Sequence, residues 1–170
     1  MANTYELIAS STVGAGGASS IDFTSIPSTY TDLLILASTR SSRSGSYAGN
    51  MRLKFNTSTS NLTGRTLRGI SASADSFTTT AVEWSAPGAT VTASTFGNAS
   101  FYFPNYAGST NKTVSVESVI EDNSANMFIY MTAGLWSITS AITGLSLYPN
   151  DAGAVMEQYS TAYLYGIKNS

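Results

Sequence analysis

Apolar and polar residues alternate along much of this chain with a period of two. In Met51–Phe55, Met51, Leu53 and Phe55 fall on one side and Arg52 and Lys54 on the other. Thr113–Glu121 sets Val114, Val116 and Ile120 on one face, and Tyr5–Ser11 groups Tyr5, Leu7 and Ala9. Such alternation predicts half-buried β-strands. Shorter runs of the same kind occur at Ser20–Phe23, Arg65–Ile70, Ala99–Phe103, Gly144–Pro149 and Thr161–Ile167. Gly, Ser, Asn and Pro divide them: Gly14–Gly17 reads as a turn, and Pro27 and Pro104-Asn105 end ladders. No window of helical length carries a 3.6-residue period with caps. Residues 41–50 read as a polar loop. Residues 71–98 read as a long irregular loop region, with one or two irregular strands around Ala81–Trp84 and Ala89–Ser94. About ten short strands in one 170-residue domain predict an all-β, antiparallel β-sandwich, jelly-roll-like in form.

Two runs break the alternation. Thr31–Arg40 holds Leu33, Leu34, Ile35 and Leu36 in succession, and Met127–Trp136 is apolar on both faces. In the first, Asp32, Ser38 and Arg40 share parity with Leu34 and Leu36, so the odd face is assigned to the core and Leu34 and Leu36 point outward. In the second, Met127, Ile129, Met131 and Leu135 suit the core, which turns Phe128, Tyr130 and Trp136 outward. Bare, these side chains make a patch larger than monomers usually carry. Two covers are available: the loops at 41–50 and 71–98, or a neighbouring subunit. Each fully buried Leu or Phe contributes roughly 1.5–3 kcal/mol, so Leu34, Leu36, Phe128, Tyr130 and Trp136 form the expected subunit interface.

Composition narrows the chemistry. There is no histidine and no cysteine, which removes the commonest general base, every Ser-His or Cys-His scheme, and disulfide or thiolate metal sites. Charged residues make up 11% and Ser with Thr about 30% of the chain, a hydroxyl-built surface suited to pleated sheets. Six cations, Arg40, Arg43, Arg52, Lys54, Arg65 and Arg68, cluster in sequence, whereas the chain after Arg68 is mainly acidic. They are read as a charged contact surface. With net charge −2 and no interleaved aromatics, nucleic acid is not an expected partner. Gly14–Gly17 lacks the Lys-Ser/Thr of a phosphate loop. Glu121, Asp122, Asn123 and Asn126 offer oxygens without the spacing of an EF-hand. No carboxylate pair stands out for glycoside hydrolysis. Four Asn-x-Ser/Thr triplets, at Asn56, Asn61, Asn98 and Asn111, are what this composition produces by chance. Trp84, Trp136 and the tyrosines could stack on sugars, but packing is their commoner use. No catalytic residue, cofactor or metal ligand is assigned. The start, Met1–Ser10, lacks the features of a signal peptide, and no apolar run reaches bilayer length, so no membrane is expected.

Several stretches resemble a known group. Tyr5–Ser10 (YELIAS), Ile26–Ile35 (IPSTYTDLLI), Leu53–Asn56 (LKFN), Leu147–Pro149 (LYP) and Leu164–Ile167 (LYGI) are similar to small virion proteins of tailed bacteriophages, often aquatic, cyanophage-like ones. The resemblance spans nearly the whole chain, with Ile26–Leu33 its most specific piece and 71–98 its weakest. It implies a β-sandwich and a structural or decoration role in the head, or a place in the tail, and it brings no catalytic residues. The expectation is a non-enzymatic virion protein: a capsid decoration (cement) protein, acting as a homotrimer on the major capsid protein and stabilising the head. The alternative is a tail-fibre or baseplate adhesin head that binds host surface glycan through loop tyrosines and Trp84.

Overall fold

A computed structural model describes residues 4–122 and 127–168. Twelve strands and no helix are found among them: β1 (Tyr5–Thr12), β2 (Ile21–Phe23), β3 (Asp32–Thr39), β4 (Ala48–Phe55), β5 (Leu62–Ile70), β6 (Ser73–Thr79), β7 (Glu83–Pro87), β8 (Gly97–Phe103), β9 (Lys112–Ile120), β10 (Phe128–Trp136), β11 (Leu145–Pro149) and β12 (Thr161–Ile167). They form two antiparallel sheets packed as a sandwich. The larger has eight strands in the order β1-β12-β3-β8-β9-β10-β5-β6, the smaller four in the order β2-β11-β4-β7.

The core lies between the sheets. Leu33 and Ile35 of β3, Phe101 and Phe103 of β8 and Val114 and Val116 of β9 meet Met51, Leu53 and Phe55 of β4, Trp84 of β7 and Leu145 and Leu147 of β11. Phe55 stacks on Trp136 at 5.4 Å and meets Phe103 edge-on, while Trp84 meets Phe101 edge-on at 4.7 Å. The alternation read from β3, β4 and β9 is the alternation of burial.

Three expectations are corrected. Residues 71–98 are more regular than expected: β6 and β7 lie within them, whereas Ala89–Ser94, expected as strand, forms turns. In β1 the register shifts between Leu7 and Ala9, so Leu7 pairs with Tyr165 and Ala9 with Leu164; a bulge thus separates residues expected on one face. The third concerns β10, whose faces are inverted. Phe128, Tyr130 and Trp136 are buried, and Ile129 and Met131 are exposed.

The inversion has a local cause. The inward parity of β10 includes Thr132 and Gly134, which look unfit for a core. Thr132 is satisfied there: its hydroxyl donates to the Glu83 carbonyl at 2.9 Å and lies 2.8 Å from the Thr66 hydroxyl. Gly134 leaves room for Val82, whose side chain occupies the space a Cβ would need.

A four-stranded sheet cannot cover an eight-stranded one. Seven strand spacings of roughly 4.8 Å make the large sheet about 34 Å wide, against about 14 Å for the small one. Near β1 and β12 the inner side is closed by Val13, Ile26, Tyr30 and Met156. Beyond β7, a second apolar cluster of Ala48, Ile120, Phe128 and Tyr130, with Ile70 and Phe77 against it, lines the overhang of β10, β5 and β6.

Candidate functional site

The outer face of the large sheet is the most distinctive surface of the molecule. Cross-strand pairing aligns its residues in rows. One row runs Ser10–Tyr163–Leu36–Ser100–Glu117–Met131–Leu67–Ser76 across all eight strands. The row on one side passes through Leu7, Tyr165, Leu34, Tyr102, Ser115, Ala133 and Arg65, and the row on the other through Ser38, Asn98, Val119, Ile129 and Gly69. Only Glu117 and Arg65 among these residues carry a charge. Leu36, Met131 and Leu67 are 43%, 53% and 55% exposed, and Leu7, Tyr102, Tyr163, Val119 and Ile129 are exposed as well. Neither the 41–50 segment nor the 71–98 segment roofs them.

The apolar residues divide into two patches. Leu7, Leu34, Leu36, Tyr102, Tyr163 and Tyr165 form one on β1, β12, β3 and β8. Val119, Ile129, Met131 and Leu67 form the other on β9, β10 and β5. Asn98, Ser100, Ser115 and Glu117 run between them on β8 and β9. Each patch contains a shallow depression. One is bounded by Leu36, Ser100, Tyr163 and Tyr165, the other by Leu67, Val116, Glu117 and Met131. Tyr102 is fixed at the patch edge, donating its hydroxyl to Asp32 at 2.9 Å; that bond raises the phenol above its ordinary range. Eight exposed apolar residues at roughly half their area amount to on the order of 600 Å² of surface, divided between the two patches.

Of the expected interface, Leu34 and Leu36 lie on this face, Leu34 half-buried and Leu36 exposed. Phe128, Tyr130 and Trp136 do not, since each is buried within its own chain. Sequence reasoning assigned Ile129 and Met131 to the core and overlooked Leu67, Val119 and Tyr163 as outer residues. The parity of Leu62 and Thr66, both inward, is the signal that places Leu67 outside.

The expected charged surface does not exist as one surface. Arg40 is buried and plugs a turn, its guanidinium donating to the carbonyls of Val91, Thr92 and Thr95 at 2.9–3.0 Å. Arg43 pairs with Asp151 at 3.3 Å. Arg52 pairs with Glu83, and Lys54 sits over the Tyr148 ring at 4.5 Å, both on the outer side of the small sheet. Arg65 is exposed on the opposite side of the sandwich, and Arg68 lies on the inner overhang, paired with Asp75. Strand alternation on two sheets scatters a cluster that is contiguous only in sequence. Asp75, Glu83 and Asp151 come from the acidic remainder, so three of the six cations are neutralised by the other half of the chain.

Trp84, a candidate for sugar stacking, is only 1% exposed and packs in the core. Of the oxygen-rich run, Glu121 and Asp122 are described and engaged in interactions, while Asn123 and Asn126 lie outside the described residues. No group of three or more metal-competent side chains occurs among the described residues, and none of them forms a helix long and apolar enough to cross a membrane. No protein-family pattern matches the chain, and no curated protein is significantly similar to it.

Proposed function

We propose that this chain is a non-enzymatic structural protein of a bacteriophage particle, a decoration protein that assembles as a homotrimer and stabilises the head by contact. The observation that carries the reading is the outer face of the large sheet, broad, nearly uncharged and apolar in two patches. A standard interface takes about 800 Å² from each partner, polar and apolar together; the two patches supply on the order of 600 Å² of apolar surface to the contacts of one copy with its two neighbours. Burial of these residues between copies releases roughly 25 cal/mol per Å² of apolar surface, less the costs of association. A cluster that binds the assembled shell in preference to its separated subunits shifts the equilibrium toward the shell by mass action. The neutralised cations leave few net charges to repel neighbours, as suits a molecule packed among its own kind.

The test is cryo-electron microscopy of the particle that carries this chain. The expected result is density for it across the capsid lattice, in threefold clusters with the β3 and β10 outer faces buried between copies. Density confined to the tail, or clusters with those faces open to solvent, would overturn the reading.

A further inference from the structure

The overhang beyond the small sheet forms a cleft that the outer-face reading does not use. β7 sits above β9 and β10, tied by the Thr132–Glu83 bond and by Ser85 N donating to Ser118 Oγ at 3.4 Å. β5 and β6 continue past it. The inner faces of Tyr130, Arg68 and Phe77 make the floor, Glu83 and Arg52 make the wall, and Asn50 and Asn150 stand at the rim of a space of about 390 Å³. We propose that this cleft binds a neutral saccharide of one or two rings.

The charges argue for neutrality. Arg68 forks onto both oxygens of Asp75 at 3.0 and 2.6 Å, and its guanidinium lies 4.9 Å from the Phe77 ring centre and 5.9 Å from that of Tyr130. The pair holds the Asp75 carboxyl below its ordinary range. Arg52 donates to Glu83 Oε1 at 2.7 Å and to Asn150 Oδ1 at 3.0 Å. Each cation already has its carboxylate, so an anionic ligand must displace an internal partner, and a cationic one meets two arginines.

Hydrogen-bonding capacity remains after these pairs form. Glu83 Oε2, Asn150 Nδ2 and Asn50 Oδ1 have no partner among the described residues. An acceptor, a donor and a second acceptor, on side chains that also form an ion pair or a side-chain hydrogen bond, match the alternating demands of vicinal hydroxyls. Because those side chains are fixed beforehand, little ordering cost remains to be met on binding. Phe77, partly exposed, offers an apolar contact for the C–H face of a ring. The volume falls at the small end of ligand sites, which run roughly 300–1,000 Å³.

The site is tested by NMR titration of the intact protein with maltose, cellobiose, mannobiose and N,N′-diacetylchitobiose, with sialyllactose and glucosamine as charged controls. At least one neutral disaccharide is expected to shift the amide resonances of Arg52, Phe77 and Glu83 saturably at millimolar concentration. Glu83→Gln, which keeps the shape of the wall, is expected to weaken that binding at least tenfold, as is Phe77→Ala. Leu36→Asp, on the other side of the sheet, leaves the affinity unchanged whatever it does to assembly. The proposal is overturned if no neutral sugar in the panel shifts these resonances, if only the charged sugars do, or if Glu83→Gln binds like the wild type.

Discussion

At Thr57 the backbone takes φ 68°, a left-handed conformation that a β-branched residue adopts only under strain. Thr57 and Asn56 (φ 48°) are the central pair of the tight turn closed by mutual backbone bonds between Phe55 and Ser58. Two successive positive φ values define the turn type that favours Asn-Gly. Asn56 suits its place and also anchors the 141–144 segment: its Oδ1 accepts from Thr143 N and Gly144 N, and its Nδ2 donates to Ala141 O. The Thr57 side chain makes no hydrogen bond among the described residues that would repay its conformation. Thr57→Gly is therefore expected to stabilise the protein by about 1 kcal/mol, read as a higher urea midpoint with an unchanged slope; an equal or lower midpoint would show that the threonine makes a compensating contact. Lys112 illustrates what hydrophobic patterning cannot show. It is 1% exposed, at an inward position of β9, with its ammonium donating to the carbonyls of Gly108, Thr110 and Thr139. Burial pulls its pKa down while three acceptors hold the proton in place. Like Arg40, it is a cation serving as an internal clamp for a loop, and a cation in sequence carries no mark of that use.

The strands were legible where each residue declared its face. β4 and β9 alternate cleanly, and the parity assigned to β3 from Asp32, Ser38 and Arg40 is the observed one, although of the three only Ser38 is exposed and Asp32 and Arg40 are buried with hydrogen-bond partners. β10 offered no such mark. Its outward parity, Ile129, Met131, Ala133 and Leu135, is more hydrophobic than its inward parity, because two inward places are filled by Thr132 and Gly134. Those residues are acceptable only given Thr66, Glu83 and Val82, which lie 49 to 66 residues away in sequence. A one-residue error of parity exchanges the two faces of a strand entirely, so three expected interface residues became core and three expected core residues, Met127, Ile129 and Met131, became surface. The consequence is measurable. Tyr130→Asp removes a buried ring from the cluster of Phe128, Ile120 and Ala48 and sets a carboxylate among apolar side chains, and is expected to cost roughly 3 kcal/mol or more. Met131→Asp, one residue on, is expected to stay within about 1 kcal/mol of wild type as a monomer. Urea unfolding of both variants at low protein concentration distinguishes them, and equal losses would mean that β10 has no preferred face. The same contrast removes Tyr130 from any test of assembly, since substitution there reports on folding.

As a whole, the molecule sets two different apolar patches on one twisted sheet. Its alkaline stability follows from groups spread across it: Tyr102, hydrogen-bonded to Asp32, and Tyr106, buried with its hydroxyl on Pro27 O, both have raised pKa values. In the unfolded chain they ionise near 10.0, so the unfolded state loses its protons first. Their contribution is complete below that pH and is lost as pH rises through the higher folded values. Urea midpoints are expected to fall between about pH 9 and pH 11, less steeply in Tyr102→Phe; a flat profile would contradict the raised values. The patches themselves make a sharper claim. Their centres, on β12/β3 and β10/β5, lie four strands apart. With roughly 20–25° of twist at each step, their normals diverge by roughly 80–100°. Unlike, divergent patches suit head-to-tail association, in which the Leu–Tyr patch of one copy meets the Met–Ile patch of the next and the ring closes by rotation. Leu36→Asp disables one patch and Met131→Asp the other, so each variant alone is expected to be monomeric. Mixed in equal amounts, they retain one intact pairing between them and are expected to form a heterodimer that goes no further. Light scattering of the two proteins alone and together reads the result. A two-fold, patch-to-itself dimer predicts the opposite pattern, in which one of the single variants still self-associates and mixing adds nothing.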